Sequence, residues 1–104
     1  MTNTQIERGT TYRIEAVLKD ADSTVTDPDK SGLVYLITIT ITDSADGTVE
    51  VSAVTMTRES TGTFYYDWST SASDTLGQYT VLVQATLSGV VILNRDYVEL
   101  ISVA

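Results

Sequence analysis

The stretch that decides the fold is Leu33-Val34-Tyr35-Leu36-Ile37-Thr38-Ile39-Thr40-Ile41-Thr42. Isoleucine occupies every second position from residue 37 to residue 41, and threonine occupies the positions between and after. Because successive side chains of a β-strand point to opposite faces, this alternation predicts a strand over residues 33–42 with one apolar face. A shift of one residue would expose all three isoleucines, so the register should be firmly set.

The same alternation recurs on both sides of this stretch, and no window shows the apolar stripe of a helix. Threonine, valine and isoleucine, which suit a pleated and half-buried surface, are abundant, whereas proline occurs once. The predicted strands cover residues 11–19, 33–42, 49–56, 63–70, 78–87 and 90–101, with a short edge strand around residues 24–26. This pattern of about seven short strands predicts an all-β, antiparallel β-sandwich.

Polar segments connect the predicted strands. An Asp-rich loop covers residues 20–32, turns cover residues 43–48 and 58–62, and a polar connection covers residues 69–76. Ser88-Gly89 is a tight hairpin signal.

Two further features concern the course of the chain. The apolar phase of the strand at 49–56 shifts from Val49 and Val51 to Val54 and Met56, which predicts a β-bulge. The sequence shows no repeat and no linker, so one domain is expected over residues 1–104.

One segment carries a family resemblance: Asp74-Thr75-Leu76-Gly77-Gln78-Tyr79-Thr80-Val81. It resembles the D-x-G-x-Y-x-C signature at the start of strand F in immunoglobulin domains, with Val81 at the position of the cysteine. The resemblance implies a structural corner at Gly77 and Tyr79. The glycine gives the chain room to turn, and the tyrosine hydroxyl caps a backbone group.

A looser resemblance covers nearly the whole chain. Gly62-Thr63-Phe64-Tyr65-Tyr66 and Gly77-Gln78-Tyr79-Thr80-Val81 stand at the starts of two consecutive predicted strands. This order is similar to that of the macroglobulin-type and bacterial immunoglobulin-like modules of prokaryotic surface proteins and of tailed-virus structural proteins. It implies an immunoglobulin-like β-sandwich and says little about function.

The amino-acid composition argues against several classes of function. The chain carries a net charge of −8 with a pI near 4.1, which disfavours binding to nucleic acid and to anionic membranes. It contains neither His nor Cys, so the usual general base, the thiolate nucleophile and the commonest metal ligands are missing. We therefore expect no enzyme activity, no cofactor and no metal site.

The first residues, Met1-Thr2-Asn3-Thr4-Gln5, lack the basic and apolar parts of a signal peptide, and no stretch is long enough to span a membrane. A protein made in the cytoplasm is expected, with a piece of a larger secreted protein as the alternative.

Two ligand classes remain open. Asp20, Asp22, Asp27 and Asp29 crowd one loop, and carboxylate oxygens are what calcium prefers, although the spacing is not that of an EF-hand. Turn formation by aspartate is the competing interpretation. A second set, Phe64, Tyr66 and Trp68, shares one strand face and would suit sugar stacking, but that face is more naturally the core-facing side.

The last predicted strand begins with Val90-Val91-Ile92-Leu93, which is apolar on both faces. One face would meet the other sheet, and the second would meet a neighbouring subunit, unless loops cover it. Together with the resemblance, this favours a virion component of a tailed virus that acts through contacts with other protein subunits, as a homo-oligomer or in a larger assembly. The alternative is a binding or spacer module of a prokaryotic cell surface, with a glycan or protein ligand.

Overall fold

In the computed structural model, which describes residues 4–102, the chain forms ten β-strands and no helix. The prediction that the first residues carry no export signal falls partly on residues 1–3, outside the described residues. The strands are β1 (Thr4–Glu7), β2 (Thr11–Val17), β3 (Lys30–Ser31), β4 (Val34–Tyr35), β5 (Ile37–Asp43), β6 (Val49–Thr55), β7 (Thr57–Ser60), β8 (Thr63–Ser69), β9 (Gly77–Leu87) and β10 (Val90–Ile101).

The strands form two main sheets and one short pair. A five-stranded sheet has the order β1-β10-β9-β5-β6, a three-stranded sheet has the order β2-β8-β7, and β3 pairs with β4. All pairings are antiparallel except that of β1 with β10, which is parallel. The all-β, antiparallel-dominated sandwich predicted from the sequence is therefore confirmed, with more strands than the expected number.

The isoleucine alternation fixes the centre of the larger sheet. Ile37, Ile39 and Ile41 are 1%, 0% and 0% exposed. The predicted strand is nevertheless interrupted at Leu36, whose N–H donates to the Asp29 carbonyl oxygen at 2.7 Å. Leu33, ahead of this break, is 93% exposed, so the alternating half of the stretch alone forms the buried strand.

Large apolar side chains from both sheets meet in one core. The ring of Trp68 packs edge-on against that of Tyr79, with 5.3 Å between centroids, and Tyr35 contacts Phe64 in the same way at 5.4 Å. Phe64 and Trp68 are buried and Tyr66 packs against the core, so this aromatic face points inward, as predicted. The remaining buried apolar residues are Leu18, Ile37, Ile39, Ile41, Val51, Met56, Val81, Ala85, Val98 and Leu100.

The predicted turn over residues 58–62 is wrong in its first half. Thr57–Ser60 forms β7, which pairs with β8, and only residues 61–62 turn. The chain leaves the five-stranded sheet at the buried Met56, whose N–H donates to the Ile37 carbonyl oxygen at 3.0 Å, and enters the other sheet. All four residues of β7 are exposed, so this edge strand has no apolar alternation to reveal it.

The predicted β-bulge is present in β6. The register of β5 with β6 shifts between Ile39 and Ile41, where Ala53 has φ 46° and donates its N–H to Thr40 Oγ1 at 3.1 Å. A second shift follows at Thr42 and leaves Val49 52% exposed, so Val49 does not share the buried side of Val51.

Two other segments differ from expectation. The edge strand expected at residues 24–26 is a single bridge between Lys19 and Val25. Strand β1 was not predicted, and it pairs with the end of β10 from Thr4 opposite Val98 to Glu7 opposite Ile101.

Candidate functional site

Gly77 and Tyr79 form a corner at the start of β9. Gly77 has φ 127°, a conformation that other residues rarely adopt. The Tyr79 hydroxyl donates to the Thr75 carbonyl oxygen at 2.6 Å, and its ring is buried. Burial, reinforced by the nearby carboxylates of Asp43 and Glu50, raises the pKa of Tyr79 to about 12. The hydroxyl therefore keeps its proton well above neutral pH and can donate the hydrogen bond that closes the corner.

The four aspartates of the 20–32 loop do not converge on one point. Asp20 Oδ1 accepts the N–H groups of Asp22 and Thr24 at 2.9 and 3.0 Å, which makes a local turn. Asp29 accepts two N–H groups from the distant hairpin, Ser88 at 3.0 Å and Gly89 at 2.9 Å. The carboxylates of Asp20 and Asp29 thus accept hydrogen bonds from backbone groups in different parts of the chain.

Asp27 joins the loop to the three-stranded sheet. Its Oδ1 accepts the Gly62 N–H at 2.8 Å, and Arg58 lies 3.2 Å from its Oδ2. The hydrogen bond from Arg58, followed by that from Gly62, lowers the pKa of Asp27. Residues 4–102 contain no cluster of three acidic, His or Cys side chains able to hold a metal ion. The structure therefore shows no set of ligands for the calcium ion considered from the sequence.

The apolar start of β10 is exposed on both faces. Val90 and Ile92 are 62% and 36% exposed, and lie opposite Leu87 and Ala85 on the core side of the sheet. Val91 and Leu93 are 54% and 58% exposed on the outer face. Loops do not bury this run.

The same segment is a free sheet edge. Strand β1 covers β10 only from Val98 to Ile101, which leaves residues 90–97 without a neighbour on that side within the part of the chain that the structure describes. The Ile101 carbonyl oxygen accepts the Arg8 N–H at 3.0 Å, so odd-numbered residues of β10 direct their backbone groups away from β9. The pairing with β9 is regular from Val90 to Leu100, and this alternation therefore extends back to Val91.

The other edges of the two main sheets are protected against pairing with another chain. Strand β6 is bulged at Ala53, and β7 is short with a register shift next to Arg58. Strand β2 presents Arg13 and Glu15, and β1 is a short strand ending in Glu7. Among these main-sheet edges within residues 4–102, only the free part of β10 combines regular geometry with a continuous apolar run.

A groove runs beside this edge, between β2 and the overhanging part of β10. One cavity of about 140 Å³ is lined by Ala16, Val17, Leu18, Ile37, Val83, Ala85, Ile92 and Asn94. A second cavity of about 90 Å³ shares three of these residues and adds Asp96, on the core-facing side of β10, to an otherwise mostly apolar lining. The groove is thus apolar near Ile92 and acidic near Asp96.

Sequence reasoning selected Val90 to Leu93 but not the groove beside them. The groove depends on β10 overhanging β2, two strands more than seventy positions apart in the chain. Within residues 4–102 there is no helix of the length and apolarity needed to cross a membrane.

No protein-family model, characterised protein or solved structure matches this chain.

Proposed function

We propose that this chain is a non-catalytic immunoglobulin-like module that works through protein–protein contacts as a virion component of a tailed virus, in the capsid, the head–tail connection or the tail. The observation that carries the proposal is the exposed apolar run from Val90 to Leu93 at a regular, unprotected sheet edge. Such an edge tends to pair with another chain, and its exposure in a free protein favours aggregation. An assembly partner that covers the run would remove this apolar surface from water.

The chemistry of the chain supports a binding role over a catalytic one. The sequence offers no His or Cys, and the tyrosine with the strongly raised pKa is buried in the corner at β9. The cavities of about 140 and 90 Å³ in the groove are smaller than most ligand pockets. A larger depression of about 370 Å³ lies on the open outer face of the five-stranded sheet and is lined mainly by Thr40, Thr42, Thr80 and Leu82 with Arg95 and Tyr97. The proposed partners are therefore other protein subunits, with no cofactor.

Solution mass tests the role of the run directly. In sedimentation velocity over a range of concentrations, the wild-type chain should associate with itself or with a virion protein encoded beside it. The double variant Val91→Glu/Leu93→Glu should abolish that association while keeping the far-ultraviolet circular dichroism of the wild type. Val49→Glu is the matched control, because Val49 is also exposed but lies on β6, three strands away from β10 in the same sheet. Equal association of both variants would contradict the proposed interface.

The genes flanking the coding sequence test the virion assignment. Neighbouring portal, capsid or tail genes would support it. A parent gene with a signal peptide and repeated sandwich domains would overturn it in favour of a cell-surface binding or spacer module. The glycan-binding form of that alternative loses its proposed stacking platform, since Phe64 and Trp68 are buried.

A further inference from the structure

We propose that the free edge of β10 accepts an extended segment of another protein, which adds as a strand and carries apolar side chains at alternate positions with a lysine or arginine near one end. The inference deepens the proposed assembly function and rests on it. It names the mode of contact, a strand added to a sheet edge, and the chemistry of the partner segment.

The backbone of β10 is arranged for such an addition. Val91, Leu93 and Arg95 direct their N–H and C=O groups to the free side, whereas the even-numbered residues face β9. No register shift interrupts this part of the ladder. An added strand therefore finds regularly spaced donors and acceptors over residues 91–95.

The groove gives the added strand a place for its side chains. A strand beside β10 continues the five-stranded sheet, so alternate side chains point toward the core side, next to β2. There they meet the cavity formed by Val17, Leu18 and Ile92, which is open and lined mainly by apolar residues. Filling it with aliphatic side chains removes this apolar surface from water.

The acidic end of the groove sets the charge of the partner. Asp96 lies on the core-facing side of β10 and lines the second cavity, and the whole chain carries a net charge of −8. A cationic side chain on the same face as the apolar ones would lie next to this carboxylate. The partner segment is therefore basic at the end that lies near Asp96.

A second copy of β10 fits the groove less well. On its core-facing side, β10 presents Val90, Ile92, Asn94 and Asp96. A second copy carries the same net charge of −8 and presents no cation on that face to pair with Asp96. Charge complementarity therefore favours a different polypeptide, and not a second copy of this chain, as the strand that binds in the groove.

Synthetic peptides test the charge and the pattern together. The probes are acetyl-Lys-Thr-Val-Thr-Val-Thr-Val-amide and the peptide of reversed order, which test the two directions of the added strand. At least one should bind with saturable chemical-shift changes at Val91, Leu93 and Arg95. Replacing its Lys by Glu should weaken binding by about fivefold or more. With the protein variant Asp96→Lys, the preference for the Lys peptide over the Glu peptide should reverse.

Proline substitutions test the backbone. Leu93→Pro removes an N–H that points to the free edge, so the protein should fold and lose peptide binding. Asn94→Pro is the contrasting variant, since it removes a bond to β9 and should destabilise the sheet itself. If Leu93→Pro does not fold, protection of the Leu93 amide from hydrogen exchange by the peptide replaces it as the readout.

The outcomes separate this inference from the function on which it rests. If neither peptide binds, or if binding does not depend on the charge at position 96, strand addition by a basic segment is wrong. The assembly role would still stand if Val91→Glu/Leu93→Glu abolishes association in sedimentation. If the wild-type chain doubles its mass through β10 and excludes the peptides, the occupant is a second copy and the inference is overturned.

Discussion

The hydroxyl group of Tyr79 donates a 2.6 Å hydrogen bond to the carbonyl oxygen of Thr75, four residues earlier in the chain. The bond closes the turn at Gly77, while the Tyr79 ring packs against Trp68 across the core. One side chain therefore joins the connection after β8, the start of β9 and the facing sheet. The corner should contribute to stability through both its ring and its hydroxyl.

Replacing Tyr79 by Phe separates these two contributions. The ring stays in place, and the buried Thr75 contact loses its donor, so we expect the free energy of unfolding to fall by about 1–2 kcal/mol. Urea denaturation of the two proteins measures the difference. Tyr66→Phe is the control, because Tyr66 also packs against the core and makes no side-chain hydrogen bond within residues 4–102. Equal losses in the two variants would show that the hydroxyl of Tyr79 adds nothing.

The raised pKa of Tyr79 predicts how stability depends on alkaline pH. In the unfolded chain this tyrosine ionises near its ordinary value of about 10. In the folded chain, burial raises its pKa to about 12. The unfolded state therefore releases the proton first, and the stability that Tyr79 contributes, complete below pH 10, is lost as pH rises to about 12.

Denaturation at several alkaline pH values, in the wild type and in Tyr79→Phe, measures this contribution. The gap between the two proteins should narrow as pH rises from 10 to 12. Tyrosinate absorbance supplies the independent check. If all tyrosines of the folded protein ionise together near pH 10, the proposed burial effect is wrong.

Gly62 is held between the Asp-rich loop and β8 by close packing. A Cβ at this position would lie 2.8 Å from the Thr26 nitrogen, and the residue has φ 69°. Gly62→Ala should therefore cost about 2–4 kcal/mol, from the strained backbone together with displacement of the loop. Gly47→Ala is the matched control, because Gly47 has φ 77° and open space around it, and it should cost about 1 kcal/mol. Equal losses of unfolding free energy in the two variants would mean that the Asp-rich loop moves away from the added Cβ without an energetic cost.

The pattern of neighbouring residues in the sequence was sufficient to predict much of this fold. The alternation of Ile37, Ile39 and Ile41 predicted a buried strand, and the phase change around Val51 and Val54 predicted a bulge. Both patterns arise from neighbouring side chains that alternate across one strand. The hairpin at Ser88 and Gly89 follows from the same kind of local signal, with φ values of 52° and 77°.

What sequence reasoning missed depends on distant pairing. Strand β7 has no apolar side, so only its contact with β8 makes it a strand. The parallel pairing of β1 with the end of β10 joins residues more than ninety positions apart, and it decides which part of β10 remains free. The run from Val90 to Leu93 could be selected from its composition, but its position on an open edge required the sheet order.

Asp29 connects the loop to the hairpin that precedes the free edge. Its carboxylate accepts the N–H groups of Ser88 and Gly89, and its own N–H donates to the Thr86 carbonyl oxygen at 2.7 Å. Asp29→Ala keeps the backbone bond and removes both bonds to the carboxylate. We expect faster hydrogen exchange at the Ser88 and Gly89 amides and a loss of about 2 kcal/mol in the free energy of unfolding.

Amide exchange followed by NMR measures this effect residue by residue, with Asp22→Ala as the control from the same loop. The hairpin fixes where β10 begins, so a loosened turn should also increase exchange at Ile92, whose N–H faces β9, more than at Asp96 farther along the ladder. Because Val91 and Leu93 expose their N–H groups at the free edge already, their exchange should change little. If the Ser88 and Gly89 amides exchange as slowly in Asp29→Ala as in the wild type, the backbone conformation of the turn alone maintains it. Asp29 then does not position the free edge of β10.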